Sequence, residues 1–348
     1  MGERSADDTG AAGTAPAARH LPLGLDDGAG PSPFHPGAAA PETREFAERL
    51  EAMLAGLPDP RSIPIPEMRR LRASGQGIFL LQGPREGSSW VEASGPTGAG
   101  ETVRLRLTPA PGPVQGTCLH IHGGGWTFNA PDQFDEPNQA MAQAVGCRVV
   151  SVRYRLAPET RWPAQLEDCL AAAIWALDTD PGPLVIMGES AGAHLAAATL
   201  LALKSADRLD RVAGSVLSYG MFDLRGTPSL RAWGPRFLVL STPVVGWFVD
   251  NLMADGDRSD PMASPLLADL SDLPPALFQV GTLDPLLDDT LFMAARWRAA
   301  GGVARVEIAP GGVHGYDQFD LAIARDAQER RQAFVQERLA AAKSAGVC

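Results

Sequence analysis

A short turn around Ser190 is the feature of the sequence that most constrains the fold. The apolar run 184–187 predicts a buried strand, and Gly188-Glu189-Ser190-Ala191-Gly192 joins it directly to an alanine-rich stretch that is typical of a helix. Such a tight turn has no room for bulky side chains beside the serine, which accounts for the glycines at both ends of the motif. The pattern predicts that the Ser190 hydroxyl is exposed above a sheet, where a nucleophile would lie.

A second glycine-rich turn indicates another part of the same kind of site. His122-Gly123-Gly124-Gly125-Trp126 follows a predicted strand at 117–121. Glycines leave the backbone N–H groups of a loop uncovered, and such groups can stabilise a negatively charged oxygen. The two motifs together predict a site for acyl transfer.

Two further polar residues also follow strand-like runs. Asp284 stands in Gly281-Thr-Leu-Asp-Pro and His314 in Gly311-Gly-Val-His-Gly, so the order along the chain is serine, aspartate, histidine. Because ligands bind at the carboxyl ends of parallel strands, residues from three strand ends can converge there. We expect these residues to form a catalytic triad with Ser190. The alternative, a structural turn serine and two unrelated loop residues, leaves the glycines unexplained.

Neighbouring residues of the same types compete for these roles. Asp288 and Asp289 fall within the helix that follows Asp284, so Asp284 is the preferred acid. His194 lies one helical turn after the serine, and we expect it to pack against the site or support it. We expect His122 to bond the backbone of the glycine loop.

Several segments resemble one branch of a known superfamily. Together with the two glycine motifs, the segment Tyr154-Arg-Leu-Ala-Pro-Glu159 and the run 162–168 are similar to the hormone-sensitive-lipase-like branch of the α/β-hydrolases, the bacterial family IV carboxylesterases. The chain has Glu189 where that branch often has aspartate, and Ala193 where it often has glycine. Glu189 either forms a hydrogen bond within the turn or acts electrostatically on the histidine, and both interpretations stay open.

The resemblance implies a role for each residue of the site. Ser190 is the implied nucleophile, His314 the base and Asp284 the acid that orients the base. The implied oxyanion donors are the backbone N–H groups of Gly123, Gly124 and Ala191.

The spacing of apolar residues predicts the architecture. Strand-like and helix-like segments alternate, which predicts an α/β fold with a mostly parallel central sheet covered by helices on both faces. The resemblance implies an α/β-hydrolase fold with a helical cap from the N-terminus and an insertion. The expected organisation is a flexible N-terminal arm over 1–40, N-terminal cap helices and a linker over 41–100, a catalytic domain over 101–220 and 264–348, and a cap insertion over 221–263.

Large apolar residues crowd the insertion, where they can form a pocket for the acyl or alcohol part of a substrate. Each of them can instead simply dock the insertion onto the body of the protein. The predicted substrate-binding residues are Trp126, Trp233, Phe237, Trp247 and Phe248.

Composition excludes several classes of function. A net charge of −11 without clustered cations argues against a nucleic-acid partner. No apolar run reaches the ~18 residues needed to span a membrane, and no apolar signal core is visible, so we expect a cytoplasmic protein. The His and Cys spacings match no metal motif, and we expect neither metal nor cofactor. A homodimer is compatible with the sequence.

The favoured function is a serine carboxylesterase that hydrolyses short to medium acyl esters of small molecules through an acyl-enzyme intermediate. One alternative is an acyl transferase, cyclase or eliminase that uses the same site on a specialised metabolite. A ligand-binding pseudo-hydrolase is less favoured because all three triad residues are present.

Overall fold

An eight-stranded sheet forms the centre of the fold, in a computed structural model that describes residues 32–35, 37–81, 83–95 and 101–346. The order of its strands is β1-β2-β4-β3-β5-β6-β7-β8, and only the β1–β2 and β2–β4 pairs are antiparallel. This sheet confirms the predicted α/β-hydrolase architecture. The strands are β1 (Ser89–Ser94), β2 (Thr102–Thr108), β3 (Thr117–Ile121), β4 (Arg148–Val152), β5 (Leu184–Glu189), β6 (Val212–Ser218), β7 (Ala276–Leu283) and β8 (Ala304–Val313).

Helices cover both faces of the sheet because its central strands are apolar on both sides. Successive strand residues face opposite ways, so Val185 packs in the core with α3 and α9 while the next residue, Ile186, packs in the core with α4, α5 and α8. The α-helices in the described part of the chain are α1 (Pro41–Ala55), α2 (Ile65–Ala73), α3 (Asp135–Val145), α4 (Ala164–Thr179), α5 (Ala191–Ser205), α6 (Pro228–Trp233), α7 (Thr242–Met253), α8 (Leu287–Ala299) and α9 (Ala322–Ser344).

Two chain segments meet above the carboxyl ends of the strands. The first contains α1 and α2, and the second, between β6 and β7, contains α6 and α7. An ion pair joins them: the Arg236 guanidinium donates to both carboxylate oxygens of Glu51 on α1, each at 2.7 Å. The division of the chain into domains stays a prediction, and most of the predicted arm over 1–40 lies outside the described residues.

Candidate active site

The turn between β5 and α5 holds Ser190 in a strained backbone conformation. Its φ is +56°, a value that side-chain-bearing residues adopt infrequently. A Cβ atom on Gly192 would lie 1.9 Å from the Ile121 carbonyl oxygen, and one on Gly188 would lie 2.4 Å from the Gly192 carbonyl oxygen. Close packing of the turn against β3 therefore requires both glycines.

A chain of hydrogen bonds links the three predicted triad residues. His314 Nε2 lies 2.8 Å from Ser190 Oγ, and His314 Nδ1 lies 2.9 Å from Asp284 Oδ2. Each residue follows the end of a parallel strand, Ser190 after β5, Asp284 after β7 and His314 after β8. Asp284 is buried, and its second oxygen accepts the Leu286 N–H at 2.9 Å. The two hydrogen bonds thus fix the Asp284 carboxylate so that Oδ2 binds the His314 imidazole.

The two competing aspartates bind elsewhere. Asp288 accepts the backbone N–H of Ser229 at 2.7 Å. Asp289 accepts the N–H groups of Phe222 and Asp223 at 2.7 and 3.0 Å. Both carboxylates therefore anchor the segment that follows β6.

The glycine loop differs from the prediction at its first residue. The Gly123 N–H donates to Glu189 Oε1 at 2.8 Å, so this donor is occupied and the assignment of Gly123 to the oxyanion hole is corrected. The N–H groups of Gly124 and Gly125 have no acceptor among the described residues. Ala191 is the first residue of α5, where backbone N–H groups lack partners within the helix. Free donors are therefore available on Gly124, Gly125 and Ala191, and the sequence analysis overlooked Gly125.

Glu189 connects the turn to the glycine loop and to the interior of the sheet. Its Oε2 lies 3.1 Å from His120 Nε2, and His120 Nδ1 lies 2.8 Å from Ser151 Oγ. These hydrogen bonds run to the glycine loop and to β3, and not within the turn as one interpretation of the sequence had it. The electrostatic effect of Glu189 on His314 stays a prediction. The carboxylate ties the loop residue Gly123 to the turn that bears the serine.

Two other histidines near the site are neutral because they are buried. Burial lowers the pKa of His122 to about 3 and that of His194 to about 4. His122 Nδ1 lies 2.9 Å from the Gly123 carbonyl oxygen. His194 accepts the Trp126 indole N–H at 3.1 Å and bonds the Ala263 carbonyl oxygen at 2.8 Å. Both side chains hold the glycine loop in place, in the supporting positions that the sequence suggested.

Ser190 and His314 open onto a cavity of about 420 Å³ with a mostly apolar wall. Of the predicted substrate-binding residues, Trp126, Phe237 and Phe248 line it. The wall also contains residues from the α1–α2 region that the sequence analysis did not assign, among them Met53, Leu57, Met68, Leu71, Arg72, Ile78 and Phe79.

The assignment of Trp233 and Trp247 to this wall is corrected, since neither is among the residues that line the cavity. The Trp233 indole N–H donates to the Arg236 carbonyl oxygen at 2.8 Å. The Trp247 ring packs behind the wall, 5.1 Å from the ring of Phe248 between centroids. Both contacts lie within the insertion. The alternative role, docking of the insertion onto the body of the protein, stays a prediction.

The sequence around this site matches a family model whose description is the α/β-hydrolase fold, over residues 118–318. The chain belongs to the α/β-hydrolase family. Carboxylic ester hydrolase LipN of Mycobacterium tuberculosis is 32% identical over 250 residues, which cover 68% of this chain and 66% of LipN. The chain thus spans just under two thirds of the length of that relative.

Solved structures are similar to this α/β-hydrolase over nearly their whole length. A hyperthermophilic esterase from the archaeon Pyrobaculum calidifontis is 28% identical with a TM-score of 0.74, and the match covers 89% of this chain and 99% of that one. A hormone-sensitive lipase from a metagenome library is 26% identical with a TM-score of 0.74, covering 85% and 98%. These similarities confirm the hormone-sensitive-lipase-like branch that the motifs predicted.

Within the described ranges, no helix is both long and apolar enough to cross a membrane. The same part of the chain contains no group of three His, Cys, Asp or Glu side chains that could hold a metal ion.

Proposed function

We propose that this protein is a serine carboxylesterase that hydrolyses short to medium acyl esters of small molecules. The observation that carries the proposal is the hydrogen-bonded chain from Asp284 through His314 to Ser190, which opens onto an apolar cavity. The esterase relatives support the same reaction. Cytoplasmic location and a homodimer stay predictions from the sequence.

In the proposed reaction, Ser190 Oγ attacks the ester carbonyl while His314 Nε2 takes the hydroxyl proton. Asp284 keeps the imidazole oriented and stabilises its positive charge. His314 then gives the proton to the departing alkoxide, and a water molecule activated by the same imidazole hydrolyses the acyl-serine ester.

Charge that develops on the carbonyl oxygen needs fixed donors. We assign this role to the N–H groups of Gly124, Gly125 and Ala191. The Gly123 N–H, bound to Glu189, acts only by holding the loop.

The test is a panel of p-nitrophenyl esters of increasing acyl length. Ser190→Ala and His314→Ala should each lower kcat by at least about 10⁴-fold, and the double variant should be no worse than either, because the residues act as a unit. Asp284→Asn should lower kcat by about 10³- to 10⁴-fold by favouring the wrong imidazole tautomer.

Asp288→Asn is the matched control for the acid, because Asp288 lies four residues after Asp284, in α8, but binds Ser229. A fluorophosphonate reagent should label Ser190 in the wild type. Hydrolysis that survives Ser190→Ala, or greater loss in Asp288→Asn than in Asp284→Asn, would refute the mechanism.

A further inference from the structure

The cavity beside Ser190 has one feature that simple alkyl esters do not use. Arg72, in the last turn of α2, is among the residues that line the wall. Its guanidinium carbon lies 4.6 Å from the centre of the Phe128 ring. Burial lowers the pKa of Arg72 to about 10, so the side chain remains a cation at neutral pH.

Among the described residues, Arg72 has no carboxylate partner, unlike Arg69 and Arg236. Arg69, one turn earlier on α2, donates to both carboxylate oxygens of Glu159 at 2.8 Å. Arg236 is paired in the same way with Glu51. The hydrogen bond that Arg72 forms with a side chain is long and neutral, at 3.4 Å to Asn129 Oδ1.

The carboxylate on the cavity wall does not neutralise Arg72. Glu189 is bound to the Gly123 N–H and to His120. Loss of hydration destabilises the Arg72 guanidinium unless an anion replaces the water. A bidentate contact with a carboxylate would offset this desolvation cost.

Arg72 also lies close to the reacting end of the cavity. Asn129, which accepts its hydrogen bond, donates in turn to the Gly123 carbonyl oxygen at 3.1 Å. Because Ser190 and Arg72 line the same cavity, an ester bound at Ser190 can place another of its groups near this positive charge.

We propose that Arg72 binds a carboxylate on the substrate, so that the preferred esters combine an apolar carbon chain with a terminal carboxylate. This inference rests on the proposed esterase function and names the substrate class of the same site. Arg72 is assigned to specificity and not to the chemical step.

The experiment compares two pairs of esters. In the first pair, p-nitrophenyl esters of adipic or suberic half-acids are matched with esters in which an isopropyl group replaces the distal carboxylate. In the second pair, the carboxylate and the isopropyl group are on the alcohol part. The measured quantity is the ratio of kcat/KM for the anionic ester to kcat/KM for its neutral partner.

Arg72→Met should lower this ratio by about 10- to 100-fold in one of the pairs, the range expected for losing a charged hydrogen bond. Arg72→Lys keeps the positive charge but not the planar guanidinium that binds a carboxylate with two hydrogen bonds. It should therefore lower the ratio less than Arg72→Met does. Arg70→Met is the matched control, because Arg70 is exposed on the same helix and does not line the cavity. It should leave the ratio at the wild-type value.

A role limited to packing over Phe128 would lower hydrolysis of both esters of a pair equally. Equal losses in both pairs would therefore overturn the proposal. Calorimetric binding of the esters to Ser190→Ala, with and without Arg72→Met, tests Arg72 separately from turnover. If the wild type hydrolysed neither ester while binding remained selective, the esterase proposal would fail and the anion site would stand.

Discussion

At the scale of single residues, the Glu189 carboxylate adjoins the nucleophile in sequence but binds the glycine loop. Its two oxygens are shared between the Gly123 N–H and His120. An oxyanion hole acts through donors that are positioned before the reaction starts. In the proposed mechanism, Glu189 contributes to catalysis by fixing the loop that carries those donors.

Glu189→Ala should lower kcat by about 10- to 100-fold, because displacement of a donor by about 1 Å is enough for such a loss. Glu189→Gln keeps an oxygen that can accept a hydrogen bond from the Gly123 N–H. Its kcat should therefore fall much less than that of Glu189→Ala. Steady-state kinetics with a neutral p-nitrophenyl ester measure both variants, and circular dichroism checks that they fold. Equal activity in the alanine and glutamine variants would show that the loop does not depend on this contact.

The positions of Ser190, Asp284 and His314 could be predicted because each follows a strand, and parallel strands end at the same edge of the sheet. Whether the Gly123 N–H is free could not be predicted, because that depends on the rotamer of Glu189. Trp233 and Trp247 show the same limit, because composition indicates an apolar cluster but does not show which rings face the cavity. The unpaired charge of Arg72 depends on contacts between distant segments.

At the scale of elements, the strand–turn–helix unit around Ser190 depends on close contact with β3. The Gly192 Cα faces the Ile121 carbonyl oxygen so closely that a methyl group has no space. Gly246, within α7, is a contrasting case, because an added Cβ would meet nothing within 4 Å.

Gly192→Ala should therefore lower the free energy of unfolding by about 3 kcal/mol or more and reduce activity, because the turn must move away from β3. Gly246→Ala should raise the free energy of unfolding by about 0.5 to 1 kcal/mol, because alanine favours the helix over the unfolded chain. Urea unfolding of both variants makes the comparison. Similar shifts in both would mean that packing at the turn is loose.

Most elements were predictable because they repeat a simple pattern of buried strand and amphipathic helix. No strand was predicted at β1, and α2 was predicted only as part of the cap helices over 41–100, because both elements lack that pattern. No residue of α2 is more than partly buried, and three of its nine residues are arginines. In β1 the buried residue is Ala93, without the alternation of a half-buried strand. Contacts with other segments stabilise both elements, and local sequence does not record such contacts.

At the scale of the whole molecule, buried titratable groups link stability to pH in opposite directions. Burial lowers the pKa of His194 to about 4, whereas burial raises the pKa of Asp289 to about 7. In the unfolded chain, the pKa values of histidine and aspartate are about 6.5 and about 3.9. Between pH 4 and 6.5 the unfolded state binds more protons at His194, so acidification destabilises the fold. Between pH 4 and 7 the folded state binds more protons at Asp289, so acidification stabilises it.

These two contributions to the pH dependence of the unfolding free energy partly cancel in the wild type. Variants that remove one group should therefore show the contribution of the other. Between pH 7 and pH 4 the free energy of unfolding should fall by about 3 kcal/mol less in His194→Gln than in the wild type. Asp289→Asn should steepen that loss, because it removes the group that gains a proton in the fold. Urea titrations at half-unit pH steps measure the slopes, and a change of the same sign in the His194 and Asp289 variants would contradict the assignment of either group.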